Sequence, residues 1–571
     1  MVDGDIPTLE KSAKIYQKID YLIDHIRQTL HYYKDKITFT EQIQDTYGSA
    51  IDTQVLLFKI TKQQQSLDLA FYYAEKSKSN TLKSLLLESN AKSFAGLPPA
   101  ILNLEQHLKA EYALYISELI NEKSNLKIDS TKISIYDNKL FEITRKQDSL
   151  TQLIEKDYPK YHQLKHQTQP ITVIDIQKKL DNNTTILEFF LTDTTCYAFL
   201  ISKNDLSVEE LPVQKLEKQI KELRNAIISK NTSLFKKNAV SLYNSLIEPI
   251  KDKIKGEQFI IIPDGPLWHL NFELLLTHTS VTNNPKNLPY LLKDYVVSYA
   301  NSANLLLNAQ HSSKKTNKRQ ECLAFSFSDT TSLKTTEKIS MTRLRSISYD
   351  LPGTREEIKA ISDIIDGQYY FGSQAVERNF KKNANQYNIL HLALHGDVDN
   401  DNPENSKLYF TKTKDSLEDN LLYSHELFAL NIPADLTVLS ACNTGTGKIA
   451  KGEGIMSLGN AFQYAGSKSL LLSSWEISDQ TTPELMRFFY SNLKKGMNKP
   501  KALQQAKLQY LNTANINRVD PFYWGAFYLV GDIDPIQFKD DYFKFWMIGF
   551  VVIGILILIG IRVRRSFKKQ H

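Results

Sequence analysis

Two residue types that make a nucleophile and its base occupy matched places in this sequence, each directly after a short apolar run. Leu390-His391-Leu392-Ala393-Leu394 leads into His395-Gly396-Asp397, and Val438-Leu439-Ser440-Ala441 leads into Cys442-Asn443-Thr444-Gly445. A thiol has an ordinary pKa of about 8.5 and becomes a useful nucleophile once an imidazole within reach stabilises its thiolate. In open α/β sheets, reactive residues gather where strands end and loops begin. If the two runs are parallel and near each other, His395 and Cys442 emerge at the same sheet edge. Glycine after the histidine lets backbone approach a substrate closely, so the N–H groups of Gly396 and Cys442 form a candidate oxyanion hole.

Taken singly, each residue has a structural reading. A cysteine after an apolar strand is most often a small core residue, and a lone histidine at a strand end is most often a satisfied structural one. Together, with the glycine after the histidine and the Asn-Thr-Gly turn after the cysteine, they favour chemistry. Their separation of 47 residues is close to the roughly 50 by which caspase-type histidines precede their cysteine. The other cysteines, Cys196 and Cys322, lie far from Cys442 and from each other with no CxxC pair, which argues against a disulfide framework or a cysteine-rich zinc site. His391 and His395 are four apart but lack the glutamate of an HExxH helix and lie on a strand. There they would share a face, which makes His391 a packing or orienting residue. Gly445-Thr446-Gly447-Lys448 fails as a phosphate loop, because Cys442 stands where the first glycine belongs and Ile449 where Ser or Thr belongs. Nothing in the sequence calls for a metal or a cofactor.

The elements that must position these residues follow from the apolar pattern. Runs at 186–191, 196–201, 259–262, 322–327, 389–394, 436–441 and 470–475 read as strands, several of them bounded by turn-forming residues. Helical patterns lie between them, as at 354–365 and 454–465. Near-continuous apolar strands alternating with helices predict a mostly parallel α/β sheet. The polar stretches 312–319 and 328–350 read as exposed loops, the second containing Arg343 and Arg345. Residues 8–165 read as helices, with glycine only at Gly48 and Gly96. Ala70 and Ala74, followed by Leu82, Leu85 and Leu86 on helical spacing, would let a neighbouring helix approach closely. This resembles the end of a tetratricopeptide array, without a clean 34-residue repeat; the alternative is an irregular bundle. The segments 104–125 and 139–166 read as two long antiparallel helices.

The bulk numbers set limits. The chain has 571 residues, enough for two to four domains. With 42% hydrophobic and 23% charged residues it can bury cores throughout. A net charge of +6, with five basic residues in the last ten positions, leaves the body near neutral and gives no reason to expect nucleic acid binding. Residues 545–561 form an uncharged apolar run of 17 residues. At about 1.5 Å per residue it spans roughly 25 Å, slightly short of a bilayer core. Tyr542 and Trp546 on one side and Arg562, Arg564 and Arg565 on the other could snorkel to make up the difference. The expectation is a single transmembrane helix over 543–563 with a basic tail over 564–571. Its glycines, Gly549, Gly554 and Gly560, are not spaced as GxxxG, so no helix pairing of that kind is predicted. The positive-inside rule puts the tail in the cytosol and the body outside, yet the N-terminus lacks an apolar signal segment. A longer chain with a signal and further repeats upstream would reconcile the two, and the side of the membrane stays open.

The order of the motifs then becomes specific. Residues 259–265 (ending in IIPDG), 391–396 (HLALHG), 440–445 (SACNTG), 452–454 (GEG), Ala465-Gly466, Ser474-Trp475 and Tyr523-Trp524-Gly525-Ala526-Phe527 resemble the CHAT family. These are caspase-like domains that accompany tetratricopeptide repeats and are related to separase. The resemblance covers residues 170–535. It implies a caspase-type α/β fold, a Cys-His dyad whose positions match here as His395 and Cys442, and protein substrates cut after a specific side chain. Relatives that cut after arginine use buried carboxylates in the S1 pocket. Asp479 falls where such an acid is expected, and Glu453 in the GEG turn is a second candidate. Asp479 also reads as the N-cap of the helix that follows it.

The functional expectation is a membrane-anchored cysteine endopeptidase regulated through its helical region, with Arg343 and Arg345 as self-cleavage points if the pocket is acidic. Its partners would be a protein substrate, a protein on the helices, and a membrane through the C-terminal helix. One alternative is a non-catalytic scaffold whose helices bind a partner. Another is a zymogen whose dyad is held apart until a ligand binds.

Overall fold

The computed structural model describes residues 5–30, 32–125, 127–165, 170–309, 319–327, 351–412, 419–441 and 444–538. The chain divides into two units, Met1–Pro535 and Ile536–His571, and in the second only 536–538 are described.

Among the described residues, seven helices open the first unit: α1 (Ile6–Thr29), α2 (Tyr33–Thr61), α3 (Gln64–Lys76), α4 (Asn80–Phe94), α5 (Pro99–Ser124), α6 (Ser130–Asp157) and α7 (Pro159–Lys165). Ala70 and Ala74 on α3 are fully buried and lie in one cluster with Tyr47, Ile51 and Val55 of α2, the close approach that small residues allow. The same cluster takes in Ile186, Phe190, Phe199 and Ile260 from the sheet, so helices and sheet share a core. The pair α5 and α6 forms the long hairpin expected for 104–125 and 139–166, with different ends. Asp129 caps α6 through Thr131 N at 2.9 Å, and the helix stops before Pro159, whose ring cannot continue it.

The strands are β1 (Thr184–Leu191), β2 (Thr195–Ser202), β3 (Asp205–Pro212), β4 (Gln258–Ile262), β5 (Val296–Tyr299), β6 (Gln320–Ser326), β7 (Gly367–Phe371), β8 (Tyr387–Ala393), β9 (His395–Asp397), β10 (Lys407–Tyr409), β11 (Leu421–Tyr423), β12 (Leu436–Leu439), β13 (Lys448–Ala450), β14 (Gly454–Met456), β15 (Ser469–Ser473) and β16 (Phe527–Gly531). Eleven form one sheet in the order β3-β2-β1-β4-β5-β16-β15-β12-β8-β6-β7. Seven of its ten neighbouring pairs are parallel; β1/β2, β2/β3 and β15/β16 are antiparallel. The β15/β16 pair reverses the direction of the sheet. A first parallel block (β1, β4, β5, β16) therefore runs opposite to a second (β15, β12, β8, β6, β7), and the carboxyl ends of the two blocks lie at opposite edges. The region 454–465, expected as one helix, is strand β14 followed by a helix at Leu458–Tyr464. The loops at 312–318 and 328–350, with Arg343 and Arg345, lie outside the described residues.

The membrane expectation requires correction. No helix among the described residues is long and apolar enough to cross a membrane. The longest, α2 with 29 residues and α6 with 28, have the length but carry charged side chains along it, such as Lys36, Glu41, Asp45 and Asp52 on α2. The run 545–561 lies outside the described residues, and a single-pass anchor has no support from the structure.

Candidate active site

Strands β8 and β12 are neighbours in the middle of the second block, covered on both faces, which is why both read as continuous apolar runs. They are parallel, and their register pairs Ile389 with Leu436 and Leu392 with Leu439. That offset is 47 positions, the same as the separation of His395 from Cys442. Position 395 thus lies three residues past Leu392, and position 442 three past its partner Leu439.

His395 opens the short strand β9, which leaves the main sheet and pairs antiparallel with β10: His395 with Tyr409, Gly396 with Leu408, Asp397 with Lys407. Its half-buried ring stands edge-on to Phe327, with centroids 4.7 Å apart. Phe327 is the residue after β6 and is held from both sides. Its N–H donates to Ala393 O at 2.9 Å, and its carbonyl accepts Thr354 Oγ1 at 2.9 Å. Gly396 is half-exposed in the middle of β9.

Cys442 and Asn443 lie outside the described residues. The residues flanking them are clamped to the end of β15. Ser473 Oγ donates to Ala441 O at 2.6 Å, and Ser473 N donates to Thr444 Oγ1 at 3.1 Å. Gly445 N donates to Ser473 O at 3.0 Å, and Tyr528 Oη donates to Gly445 O at 2.9 Å. A β-carbon on Gly445 would lie 2.2 Å from Tyr528 Oη, so any side chain there would have to displace the Tyr528 ring. The other two thiols are fully buried, Cys196 in β2 and Cys322 in β6. Burial pushes the Cys322 thiol up to about 12 and the Cys196 thiol higher still, which keeps both protonated and unreactive.

His391 does not reach toward His395. It is fully buried, with Nδ1 2.9 Å from Tyr490 Oη and Nε2 3.0 Å from Glu357 Oε1. It ties β8 to the two helices packed on that face, Pro352–Ser362 and Thr482–Lys494, in keeping with a packing or orienting residue.

Asp479 lies in the segment between β15 and the helix Thr482–Lys494, whose N-cap is Thr481 and not Asp479. It packs against the first turn of the helix Pro352–Ser362, where a β-carbon on Gly353 would come 2.3 Å from Asp479 O. That turn also carries Thr354, which holds Phe327 against His395. Partial burial raises the Asp479 carboxyl above its usual range, and the charges of Glu357 and Glu476 raise it further.

Glu453 is placed elsewhere, which corrects its assignment as a pocket acid. In the turn between β13 and β14 its buried carboxylate accepts Thr81 N at 3.0 Å and Thr81 Oγ1 at 2.8 Å. It caps the first turn of α4, and the donors of the helical region occupy it. Burial pushes its carboxyl up, and Thr81's bonds partly offset that. Gly452, at φ +77°, accepts Ser79 N at 2.6 Å through its carbonyl. The hairpin that follows Cys442 is thus fastened to the helical region. Sequence reasoning missed Phe327 and Ser473 as supports: both lie in apolar runs that read as strands, and only their neighbours reveal the role.

A helical region followed by a mostly parallel mixed sheet, with a histidine and a cysteine following two paired central strands in the sequence, makes this an α/β domain with a helical lead-in. Residues 236–532 match the CHAT domain model, and the chain belongs to the CHAT family. Among curated proteins, it is similar to tetratricopeptide repeat protein 28 of Homo sapiens, 24% identical over 213 residues, and of Mus musculus, 23% over 212. Each match covers 32% of this chain and 8% of the relative. Among solved structures, the Arg-specific cysteine proteinase gingipain R aligns with a TM-score of 0.31 and 8% identity over 53% of this chain and 68% of that one. The Saccharomyces cerevisiae separase–securin complex aligns with a TM-score of 0.41 and 10% identity over 93% and 47%.

Proposed function

We propose that this protein is a cysteine endopeptidase, with Cys442 as the nucleophile and His395 as its base. The observation that carries the reading is the register of β8 and β12, whose offset equals the separation of the two residues. In the reaction, His395 takes the thiol proton, Cys442 attacks the scissile carbonyl, and the N–H groups of Gly396 and Cys442 receive the developing oxyanion. The leaving amine takes the proton back, and water then hydrolyses the thioester. The high pKa values of Cys196 and Cys322 support Cys442 as the reactive thiol.

The substrates are proteins cut after a basic side chain, with Asp479 as the acid facing it; its place beside the Thr354–Phe327–His395 contacts supports this role. The helical region regulates the site, a reading supported by the fastening of the hairpin after Cys442 to Ser79 and Thr81. A peptide probe bearing a thiol-reactive group after arginine tests the core of the proposal. Labelling at Cys442, absent in His395→Ala, is the expected result. Labelling only at Cys196 or Cys322, or cleavage by Cys442→Ala equal to wild type, would sink it.

A further inference from the structure

The helical region holds a partly open cavity of about 70 Å³ between α1, α2, the end of α3, the start of α4 and α7. At roughly 15 Å³ per water it has room for about five waters, or one tetrahedral oxyanion. Its walls carry the cations Arg27, Lys36, Lys76, Lys83 and Lys165, against a single acid, Asp24. Two of the cations are neutralised locally. Lys76 Nζ lies 2.8 Å from Asp20 and 2.5 Å from Asp24, and Lys165 Nζ lies 2.7 Å from Glu155.

Lys36 and Arg27 are less well matched. The hydrogen bond described for Lys36 is to the neutral Ser84 Oγ, at 3.0 Å, and among the described residues no carboxylate pairs with it. Arg27 reaches Lys76 O at 3.3 Å and Asp24 only at 3.8 Å, and its buried Nε donates to no group among the described residues. Burial lowers Lys83 to about 8; the charges of Glu75 and Asp24 counter this, and those of Arg27 and Lys76 add to it. Burial likewise lowers Lys36. The N-terminus of α4 opens at the same place, with no capping bond from the side chain of Ser79. The carboxylate there is Glu453, on Thr81.

We propose that this cavity is a binding site for a phosphate group, either the free ion or the phosphate of a small ligand, seated between Arg27, Lys36 and Lys83 at the start of α4. A multiply charged oxyanion supplies the acceptor that Arg27 Nε lacks and the negative partner that Lys36 lacks among the described residues, and it favours the charged forms of the lysines that burial opposes.

The test titrates the full chain, in phosphate-free buffer, with inorganic phosphate and separately with AMP, following calorimetric heats and the thermal unfolding midpoint. Sodium chloride at matched ionic strength is the control. The expected result is saturable binding with a raised midpoint, at least about tenfold weaker in Lys36→Gln and Lys83→Met. Lys218→Gln, at an exposed position outside the cavity, should bind as wild type. Phosphate binding without AMP binding identifies the free ion as occupant, and tighter AMP binding identifies a phosphorylated ligand. A midpoint that responds to phosphate no more than to chloride, or a Lys36→Gln variant that is folded by circular dichroism and binds as wild type, would overturn the proposal. The readout is binding, so it stands or falls separately from the peptidase assignment.

Discussion

The two parallel blocks of the sheet use the same device, central strands ending at a common edge, and finish it differently. At the carboxyl edge of the first block the chain is sealed. Glu75 of α3 accepts Asn304 N at 3.1 Å, and Lys78 lies 3.8 Å from Asp264, which follows β4. Glu188 on β1 is fully buried beside them, its carboxyl raised well above the usual range by burial and by the charge of Glu75. At the carboxyl edge of the second block, His395 is half-exposed on a small separate sheet, and the segment around Cys442 is clamped on both sides by Ser473. The ionisable groups of the first edge are buried beneath helices, where they bind the two regions together. On the second, His395 stays half-exposed. One topology thus carries a covered edge and an edge proposed for chemistry, and what distinguishes them is what covers the strand ends.

This contrast can be broken by experiment. The largest effect is expected from His395→Ala, which should lower kcat/KM on a susceptible peptide by about 10³-fold or more by removing the base. Glu188→Gln on the sealed edge should stay within about twofold in the same assay. Equal losses in both would erase the distinction.

Next comes Asp479→Asn, with an expected loss of about 10²-fold for peptides with arginine before the scissile bond. Peptides without a basic residue there, and the thermal midpoint, should be little changed. A uniform loss over all peptides would make Asp479 structural.

Gly445→Ala drives a methyl group into Tyr528 Oη and should cost about 1–3 kcal/mol of stability, as overpacking does, seen as a lower urea midpoint. Adding Tyr528→Phe removes the clashing oxygen and should recover part of it. No recovery would place the strain elsewhere.

The smallest effect is one of pH. A carboxyl raised on folding binds more protons in the folded state than in the unfolded one. Its contribution is therefore fully present below the unfolded pKa of about 4.3 and declines as pH rises from there toward the folded value. Glu188→Gln should therefore gain stability relative to wild type between pH 4.5 and 7, in urea unfolding at each pH (both values are assay settings, chosen around about 4.3). A constant difference would mean that Glu188 does not titrate in that range.

Much of the second block was legible. The runs at 389–394 and 436–441 are apolar throughout because β8 and β12 are covered on both faces, and the histidine and cysteine stand directly after them. The edge strands were harder. In β3 only Leu206 and Leu211 are buried, with Glu209 and Glu210 between them, so no apolar run marks it. β7 is partly exposed along its length. Glu453 misled for a related reason: a buried carboxylate in a turn looks the same whether it faces a substrate or a helix, and Thr81 lies 372 positions away.

By itself, the sequence determined which segments are central strands, which residues follow them, and the 47-position interval between His395 and Cys442, because burial on two faces and local turn chemistry are written in neighbouring residues. Tertiary structure alone decided that β8 and β12 pair with that same offset and that the sheet reverses between β15 and β16. It also decided that α4 takes Glu453 while Asp479 stays beside the contacts of His395. Hydrophobic periodicity marks which faces are buried but carries neither strand direction nor partner. Those are set only when distant segments compete for the same core and the same hydrogen-bond donors.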